Sequence, residues 1–169
     1  MQTDKQSSCV IAIRLAQIEV APGIPERNAT RVLQAVDAAR QDGIDLLVLP
    51  ELCLPGYLVG DAWERPSFLR DCETWNQRLI ASTAGTGLTL VFGTVSFDTN
   101  RRGEDGRWRR YNAYIVAQNG KALTHPALGT PFGIKTLLPN YREFDDGRYF
   151  YDVRKLAMER DCAWSHLLA

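Results

Sequence analysis

The first half of the chain alternates between short apolar runs and longer amphipathic stretches. Residues 9–16 are rich in Val and Ile and precede proline and glycine breakers, which predicts a buried strand. Between Glu26 and Gly43, apolar residues recur at helical spacing. Residues 45–49 form a continuous apolar run, which is typical of a strand covered on both faces. The pattern therefore predicts a strand, a helix and a second strand.

The second half of the chain adds a hairpin to this alternation. Residues 111–118 and 121–128 read as strands on either side of an Asn119-Gly120 turn. The other predicted elements are a helix over 68–83, a strand over 88–97, a polar loop over 98–110 and a short helix over 151–160. Alternating strands and helices imply a covered sheet, and the hairpin makes that sheet mixed. The expected class is α/β.

Composition narrows the functional classes. The chain has 169 residues, of which 45% are hydrophobic, so residues 1–169 can form a single domain with a real core. It carries 20 basic and 20 acidic residues, and this balance argues against a nucleic-acid or anionic-membrane partner. No apolar run is long enough to cross a bilayer, and the first residues do not resemble a signal peptide. We expect a cytoplasmic protein that acts on a small molecule.

The cysteines give no sign of a metal site or of disulfides. Cys9, Cys53, Cys72 and Cys162 are scattered, without a Cys-x-x-Cys pair or clustered histidines. We expect reduced, mostly structural thiols and no bound metal.

Two isolated charged residues are candidates for chemistry. Glu51 follows a predicted buried strand, where open α/β sheets place their ligand sites, so it could act as a general base. It could equally be a solvated loop residue or a helix cap. Lys135 stands among apolar residues in a segment that reads as a strand, where burying an ammonium group is costly. Alternatively, its long side chain reaches water along an apolar stem.

Longer motifs around both residues resemble a known family. Residues 50–57 (PELCLPGY) and 135–141 (KTLLPNY) resemble two of the three signature regions of the nitrilase superfamily. The continuation over 142–150 (REFDDGRYF) is similar to the branch that forms the glutaminase part of glutamine-dependent NAD synthetase. The resemblance implies a four-layer α-β-β-α sandwich with mixed sheets, of which this chain supplies an incomplete part.

The resemblance also implies roles for individual residues. Glu51 would be the general base, and Lys135 would stabilise the tetrahedral intermediate formed by a cysteine nucleophile. Tyr57 and Tyr141 match tyrosines of the glutamine pocket. L-Glutamine would be hydrolysed, and its ammonia would pass to a separate synthetase domain that needs ATP and magnesium. No cofactor is expected in this chain, and the intact family enzyme is expected to be a homo-oligomer.

The chain departs from the family pattern at the nucleophile. The family cysteine lies in a Cys-Glu-Asp-like motif on a later strand, and this sequence has no such motif. Cys162 lies too close to Phe150 and is followed by Ala163, while Cys53 belongs to the Glu51 loop. The apolar end of the chain looks cut. We therefore expect a glutaminase fragment that is inactive alone. A fragment of a stand-alone nitrilase-family amidase, or a non-catalytic truncated or binding chain, remains an alternative.

A basic stretch offers one more candidate site. It consists of Arg101, Arg102, Arg107, Arg109 and Arg110, with Trp108 among them. Such a stretch could bind RNA or phosphate, but the interleaved Glu104 and Asp105 favour a solvated loop.

Overall fold

A mixed six-stranded sheet organises the fold in the computed structural model, which describes residues 10–168. Its strands are β1 (Ile13–Leu15), β2 (Leu46–Val48), β3 (Thr89–Arg102), β4 (Trp108–Gln118), β5 (Lys121–Ala122) and β6 (Gly133–Ile134). The strands β1, β2 and β3 are parallel neighbours, and β4 is antiparallel to β3. Both β5 and β6 pair antiparallel with β4. The predicted α/β class with a mixed sheet is confirmed.

In residues 10–168, four helices accompany the sheet. They are α1 (Pro25–Gln41), α2 (Pro66–Ala81), α3 (Asp146–Tyr149) and α4 (Val153–Glu159). Short 3₁₀ turns occur at Gly60–Glu64 and Trp164–Leu167. A proline occupies the first turn of both α1 and α2, where its missing N–H costs no hydrogen bond. In the described part of the chain, no helix is long and apolar enough to cross a membrane.

The main core lies between the sheet and the helices α1 and α2. Leu47, Leu90 and Ala117 are paired across β2, β3 and β4, and all three are fully buried in this core. The opposite face of the sheet is much more open, since Ile13 is 58% exposed and Leu15 is 78% exposed. The prediction of a buried strand over residues 9–16 is therefore wrong for the described part, because helices cover only one face. Cys9 lies outside the described residues.

The polar stretch 98–110, predicted as a loop, consists mostly of strand. The strand β3 continues to Arg102 and β4 starts at Trp108, so only five residues separate them. Tertiary contacts stabilise these polar strand ends. Arg109 and Arg110 are buried and form ion pairs with Glu159 and Asp105 at 2.8 and 3.0 Å. Arg109 and Arg110 of the basic stretch therefore belong to the packed structure, whereas Arg101, Arg102 and Arg107 are exposed.

The strand predicted over 121–128 is short. Pairing with β4 ends at Ala122, and the chain then turns around Pro126 and Gly129. Pro126 has no N–H to donate to a ladder, and Gly129 has a φ of +69° that closes the turn. The ladder on β4 continues instead with β6, just before Lys135.

Candidate active site

The loop that carries Glu51 lies against the backbone of β3. Gly93 N donates a hydrogen bond of 3.2 Å to Pro50 O, and Leu54 N donates one of 3.2 Å to Gly93 O. A Cβ atom on residue 93 would lie 2.4 Å from Leu52 N and 2.6 Å from the Cα of Glu51. Because such distances are impossible for a side chain, only glycine allows the loop to approach β3 this closely.

The same loop is held from the side of α1 by Asn28, which is fully buried. The amide nitrogen of Asn28 donates to Leu54 O at 2.9 Å and to Ala21 O at 2.8 Å. Its side-chain oxygen accepts from Ala21 N at 2.7 Å. The position of Glu51 is therefore set by both β3 and α1.

Lys135 reaches Glu51 from the end of β6. Lys135 N donates to Asn112 O at 2.8 Å, which places the lysine immediately after β6 and beside β4. Its Nζ lies 2.6 Å from Oε1 of Glu51. Asn112 Nδ2 donates to the same oxygen at 2.6 Å. The two charged candidates from the sequence thus lie in direct contact, with Asn112 as a third member.

Tyr57 and Asp146 complete the cluster. Lys135 Nζ donates to the Tyr57 hydroxyl at 3.1 Å, and that hydroxyl donates to Oδ2 of Asp146 at 2.8 Å. The Asp146 side chain is only 6% exposed and lies 3.5 Å from Lys135 Nζ. Burial, followed by the hydrogen bond to Asp146 and the negative charges nearby, raises the pKa of Tyr57. Tyr57 therefore stays protonated and acts as a hydrogen-bond donor.

The two oxygens of the Glu51 carboxylate differ. The hydrogen bonds that Glu51 accepts from Lys135 and Asn112 both fall on Oε1, and the Tyr57 hydroxyl oxygen lies 3.4 Å from the same atom. Within the described chain, Oε2 has no hydrogen-bond partner, and the side chain is 44% exposed. This second oxygen is open to a further hydrogen-bond donor.

Tyr141 stands apart from the cluster. It is 63% exposed, and its ring meets the edge of Phe144 with centroids 5.7 Å apart. Phe144 in turn contacts the ring of Tyr57 at 5.6 Å. The structure therefore joins Tyr141 to the cluster through a row of aromatic rings and not through a hydrogen bond.

Asn112 and Asp146 were not singled out from the sequence. Asn112 is a buried amide on β4 between the buried residues Tyr111 and Ala113. A polar residue in the middle of an apolar strand needs hydrogen-bond partners, and this was the available signal. Asp146 belongs to the acidic pair in the REFDDGRYF segment, but nothing in the sequence separates it from exposed Asp145.

The thiols of the described cysteines do not join the cluster. Cys53 is fully buried, and its Sγ donates to Gly93 O at 3.4 Å. Burial raises the pKa of the Cys53 thiol to about 12. Burial also raises the pKa of Cys72, which packs against α2 neighbours such as Leu69. Cys162 is half-buried beside α4.

These environments predict a clear order of thiol reactivity. At pH 8, a pKa of about 12 leaves roughly one Cys53 thiol in 10⁴ as the reactive thiolate. We expect iodoacetamide to modify Cys162 of the native protein long before Cys53 or Cys72, as measured by peptide mass spectrometry. Protein unfolded in urea, in which all thiols should react, is the control. Rapid modification of native Cys53 would show that its thiol is activated.

The described residues contain no group of three His, Cys, Asp or Glu side chains that could hold a metal ion. Lys135 instead lies between two carboxylates, at 2.6 Å from Glu51 and 3.5 Å from Asp146. The arrangement provides a fixed cation, a proton acceptor and a phenol donor within hydrogen-bond distance of one another.

Comparisons with known proteins identify a family for this chain. The carbon-nitrogen hydrolase family matches residues 12–145. The glutamine-dependent NAD(+) synthetase of Thermotoga maritima is 36% identical over 142 residues, which are 83% of this chain and 22% of that protein. The chain thus spans about a fifth of the length of this curated relative.

Solved structures share the fold. A glutamine-dependent NAD(+) synthetase from Cytophaga hutchinsonii superposes with a TM-score of 0.70 at 22% identity, over 84% of this chain and 22% of that chain. A nitrilase-superfamily amidase from Nesterenkonia sp. AN1 superposes with a TM-score of 0.65 at 22% identity, over 84% of this chain and 48% of that chain. One variant of that amidase carries the acetamide moiety of fluoroacetamide, covalently added at its active site cysteine. These likenesses confirm the predicted nitrilase-type α/β fold, and the family match shows that the chain belongs to the carbon-nitrogen hydrolase family.

Proposed function

We propose that the chain carries the base and the oxyanion-stabilising cation of a glutamine-hydrolysing site. The observation that supports this most directly is the contact of 2.6 Å between Lys135 Nζ and Glu51 Oε1. A carboxylate and an ammonium group that are held together and partly exposed can serve one reacting centre. Residues 1–169 would then be part of one glutaminase domain.

The proposed reaction uses a cysteine thiol from outside the described residues. Oε2 of Glu51 accepts the thiol proton while the sulfur attacks the amide carbon, and Lys135 stabilises the oxyanion that forms. The proton on Glu51 passes to the leaving nitrogen, and ammonia departs from a thioester. Water then attacks the thioester and gives a proton to Glu51, the carbon–sulfur bond breaks, and Glu51 returns the proton to the departing sulfur, which releases the carboxylic acid and restores the thiol. The net reaction converts an amide and water into an acid and ammonia.

Glutamine is the proposed amide because the Thermotoga maritima relative is a glutamine-dependent enzyme. The exposed ring of Tyr141, joined to Tyr57 through Phe144, would form the wall of the glutamine pocket. In a full-length enzyme the ammonia would pass to a synthetase domain that uses ATP and magnesium. A cytoplasmic homo-oligomer is the setting that we propose for it.

The chain by itself is proposed to be inactive, since the described thiols are buried or lie beside α4.

A second candidate function is hydrolysis of simple aliphatic amides. It is favoured by the likeness in fold to the Nesterenkonia amidase.

Substrate preference of a chimera distinguishes the two candidates. Residues 1–150 of this chain replace the matching part of the Thermotoga maritima synthetase, and ammonia release is measured from L-glutamine and from acetamide. We expect kcat/KM for glutamine to exceed that for acetamide by at least about 100-fold, since a pocket built for polar groups rejects analogues that lack them. A preference for acetamide would favour the amidase. The unmodified synthetase and a thermal melt of the chimera are the controls.

A further inference from the structure

A cavity of about 360 Å³ is bordered by residues of β3, β4, β6 and α4. Buried apolar side chains form one wall of this cavity: Tyr111, Leu128, Ile134 and Leu156. Small-molecule sites in proteins enclose roughly 300–1,000 Å³ and are lined mostly by such side chains. The cavity therefore has the size and the lining of a site for a compact organic molecule.

The cavity is separate from the Glu51 cluster, although both use residues of β4. Tyr111 lines the cavity and packs in one apolar cluster with Leu156 of α4. The next residue, Asn112, instead donates to Glu51 at 2.6 Å. Because neighbouring residues of a strand point to opposite faces, the cavity and the Glu51 cluster lie on opposite sides of β4.

Arg101 lines this cavity with a guanidinium group that is only loosely engaged. Its nitrogens lie 3.7 Å from Asp98 and 3.9 Å from Glu159, and both distances exceed that of a hydrogen bond. Glu159 already accepts hydrogen bonds of 2.8 and 2.9 Å from Arg109. Within residues 10–168, the N–H groups of the Arg101 side chain therefore remain available to a ligand.

Arg160 lines the same cavity from the end of α4. Its terminal nitrogens donate to the carbonyl oxygens of Ala127 and Leu128 at 3.5 and 3.2 Å, which are long hydrogen bonds. The charged residues that line the cavity are thus two arginines and one aspartate, Asp98. One positive charge has no counter-charge in the lining, which favours a ligand with one negative charge.

These features specify the chemistry of the ligand. A guanidinium group binds a carboxylate through paired, charge-assisted hydrogen bonds. A phosphate monoester carries nearly two negative charges at neutral pH, and it would place the excess beside Asp98. The apolar wall requires that the rest of the ligand be non-polar. A monocarboxylate with a compact apolar body meets all of these conditions.

We propose that this cavity binds a small monocarboxylate with a compact apolar body, such as an arylalkanoate. The carboxylate accepts hydrogen bonds from Arg101, and Arg160 is the second cation beside it. The apolar body lies against Leu128, Ile134 and Leu156. This site is additional to the proposed glutaminase site, because it lies on the opposite side of β4 from Glu51 and takes an acid in place of an amide.

Methyl NMR of the purified 169-residue chain, titrated with phenylpropionate, tests the binding and its location. We expect saturable shifts with a dissociation constant below about 1 mM, which is ordinary for a ligand of this size. The shifts should be largest at Leu128, Ile134 and Leu156, and the methyl groups of Leu52 in the Glu51 loop should not move. Largest shifts at Leu52 would place the ligand at the catalytic cluster and overturn the proposal. Absence of saturation below about 10 mM overturns it as well.

Phenylpropanol is the neutral control ligand in the same titration. It should bind at least tenfold more weakly than phenylpropionate, since its hydroxyl group forms no charge-assisted pair with an arginine. Equal affinity for the acid and the alcohol would mean that the cavity does not recognise a negative charge, and the proposal would then be wrong.

An Arg101→Met variant should bind phenylpropionate at least tenfold more weakly, and Arg101→Lys, which keeps the charge, should retain more of the affinity. Arg160→Met should weaken binding to a similar extent. Arg27→Met is the matched control: Arg27 lies on α1, its side chain is 56% exposed, and it pairs with Glu19 at a similar 3.7 Å. Methyl spectra without ligand report whether each variant is folded. If Arg101→Met binds as tightly as Arg27→Met, the assignment of the ligand to this cavity is wrong.

Discussion

A Gly93→Ala variant should lose about 3 kcal/mol of unfolding free energy, at the upper end of the usual cost of overpacking. The new Cβ would meet three groups of the Glu51 loop at 2.4–2.6 Å, and all three are backbone or Cα atoms that cannot rotate away. The loop must move, and the hydrogen bonds of Gly93 with Pro50 and Leu54 must break or lengthen. Urea denaturation of the purified chain measures the loss.

Gly147→Ala is the matched control for this variant. Residue 147 lies in α3, and a Cβ there would find its nearest neighbour, the Asn140 side-chain oxygen, at 3.9 Å. Its unfolding free energy should stay within about 0.5 kcal/mol of the unmodified chain. Equal stability of both variants would contradict the close approach of the Glu51 loop to β3.

Lys135→Met in the synthetase chimera should lower kcat for glutamine about 1000-fold, which is typical for the loss of one group that stabilises an oxyanion. Lys135 Nζ is the only positive charge within 4 Å of Glu51 and Asp146 in the described structure. Its removal also leaves the buried carboxylate of Asp146 without a cation. The thermal melts of the variant and of the unmodified chimera must therefore be compared.

Lys121→Met in the same chimera controls for the loss of any lysine. Lys121 is exposed on the short strand β5 and forms no ion pair in the described structure. This variant should keep kcat and KM within a factor of two. If Lys135→Met retained a tenth or more of the turnover while the chimera stayed folded, the role proposed for Lys135 would be wrong.

The sequence predicted the helices well because their periodicity has a direct physical cause. The apolar stripes over 26–43 and 68–83 correspond to α1 and α2, whose inward faces bury residues such as Val32 and Leu79. Proline and glycine at their ends set the boundaries. Local sequence was sufficient wherever one helical face packs on the sheet.

Strand lengths could not be predicted in the same way. The ends of β3 and β4 are polar, and they are ordered by partners distant in sequence, such as Glu159 on α4 with Arg109. The exposure of Ile13 and Leu15 also could not be predicted, because an apolar strand has the same sequence pattern whether or not a second layer covers it. These features depend on tertiary contacts that no local pattern contains.

The candidate site was predictable only in part. Glu51, Lys135 and Tyr57 were named from motifs, and the structure brings them within hydrogen-bond distance of one another. The register of β4 brings Asn112 to Glu51 across 61 residues of sequence. Asp146, at the start of α3, reaches Tyr57 across 89 residues. Residue type alone does not reveal such partners.

Ammonia release from L-glutamine by the purified 169-residue chain tests the central claim most directly. The chain is proposed to hold the base and the cation but no nucleophile, and loss of a nucleophile costs on the order of 10⁶ in turnover. The rate should therefore equal the background rate, while the synthetase chimera measured in the same assay releases ammonia in a manner that depends on Glu51 and Lys135. Robust turnover by the chain alone, abolished by Glu51→Gln, would contradict the claim and place the nucleophile among its own cysteines.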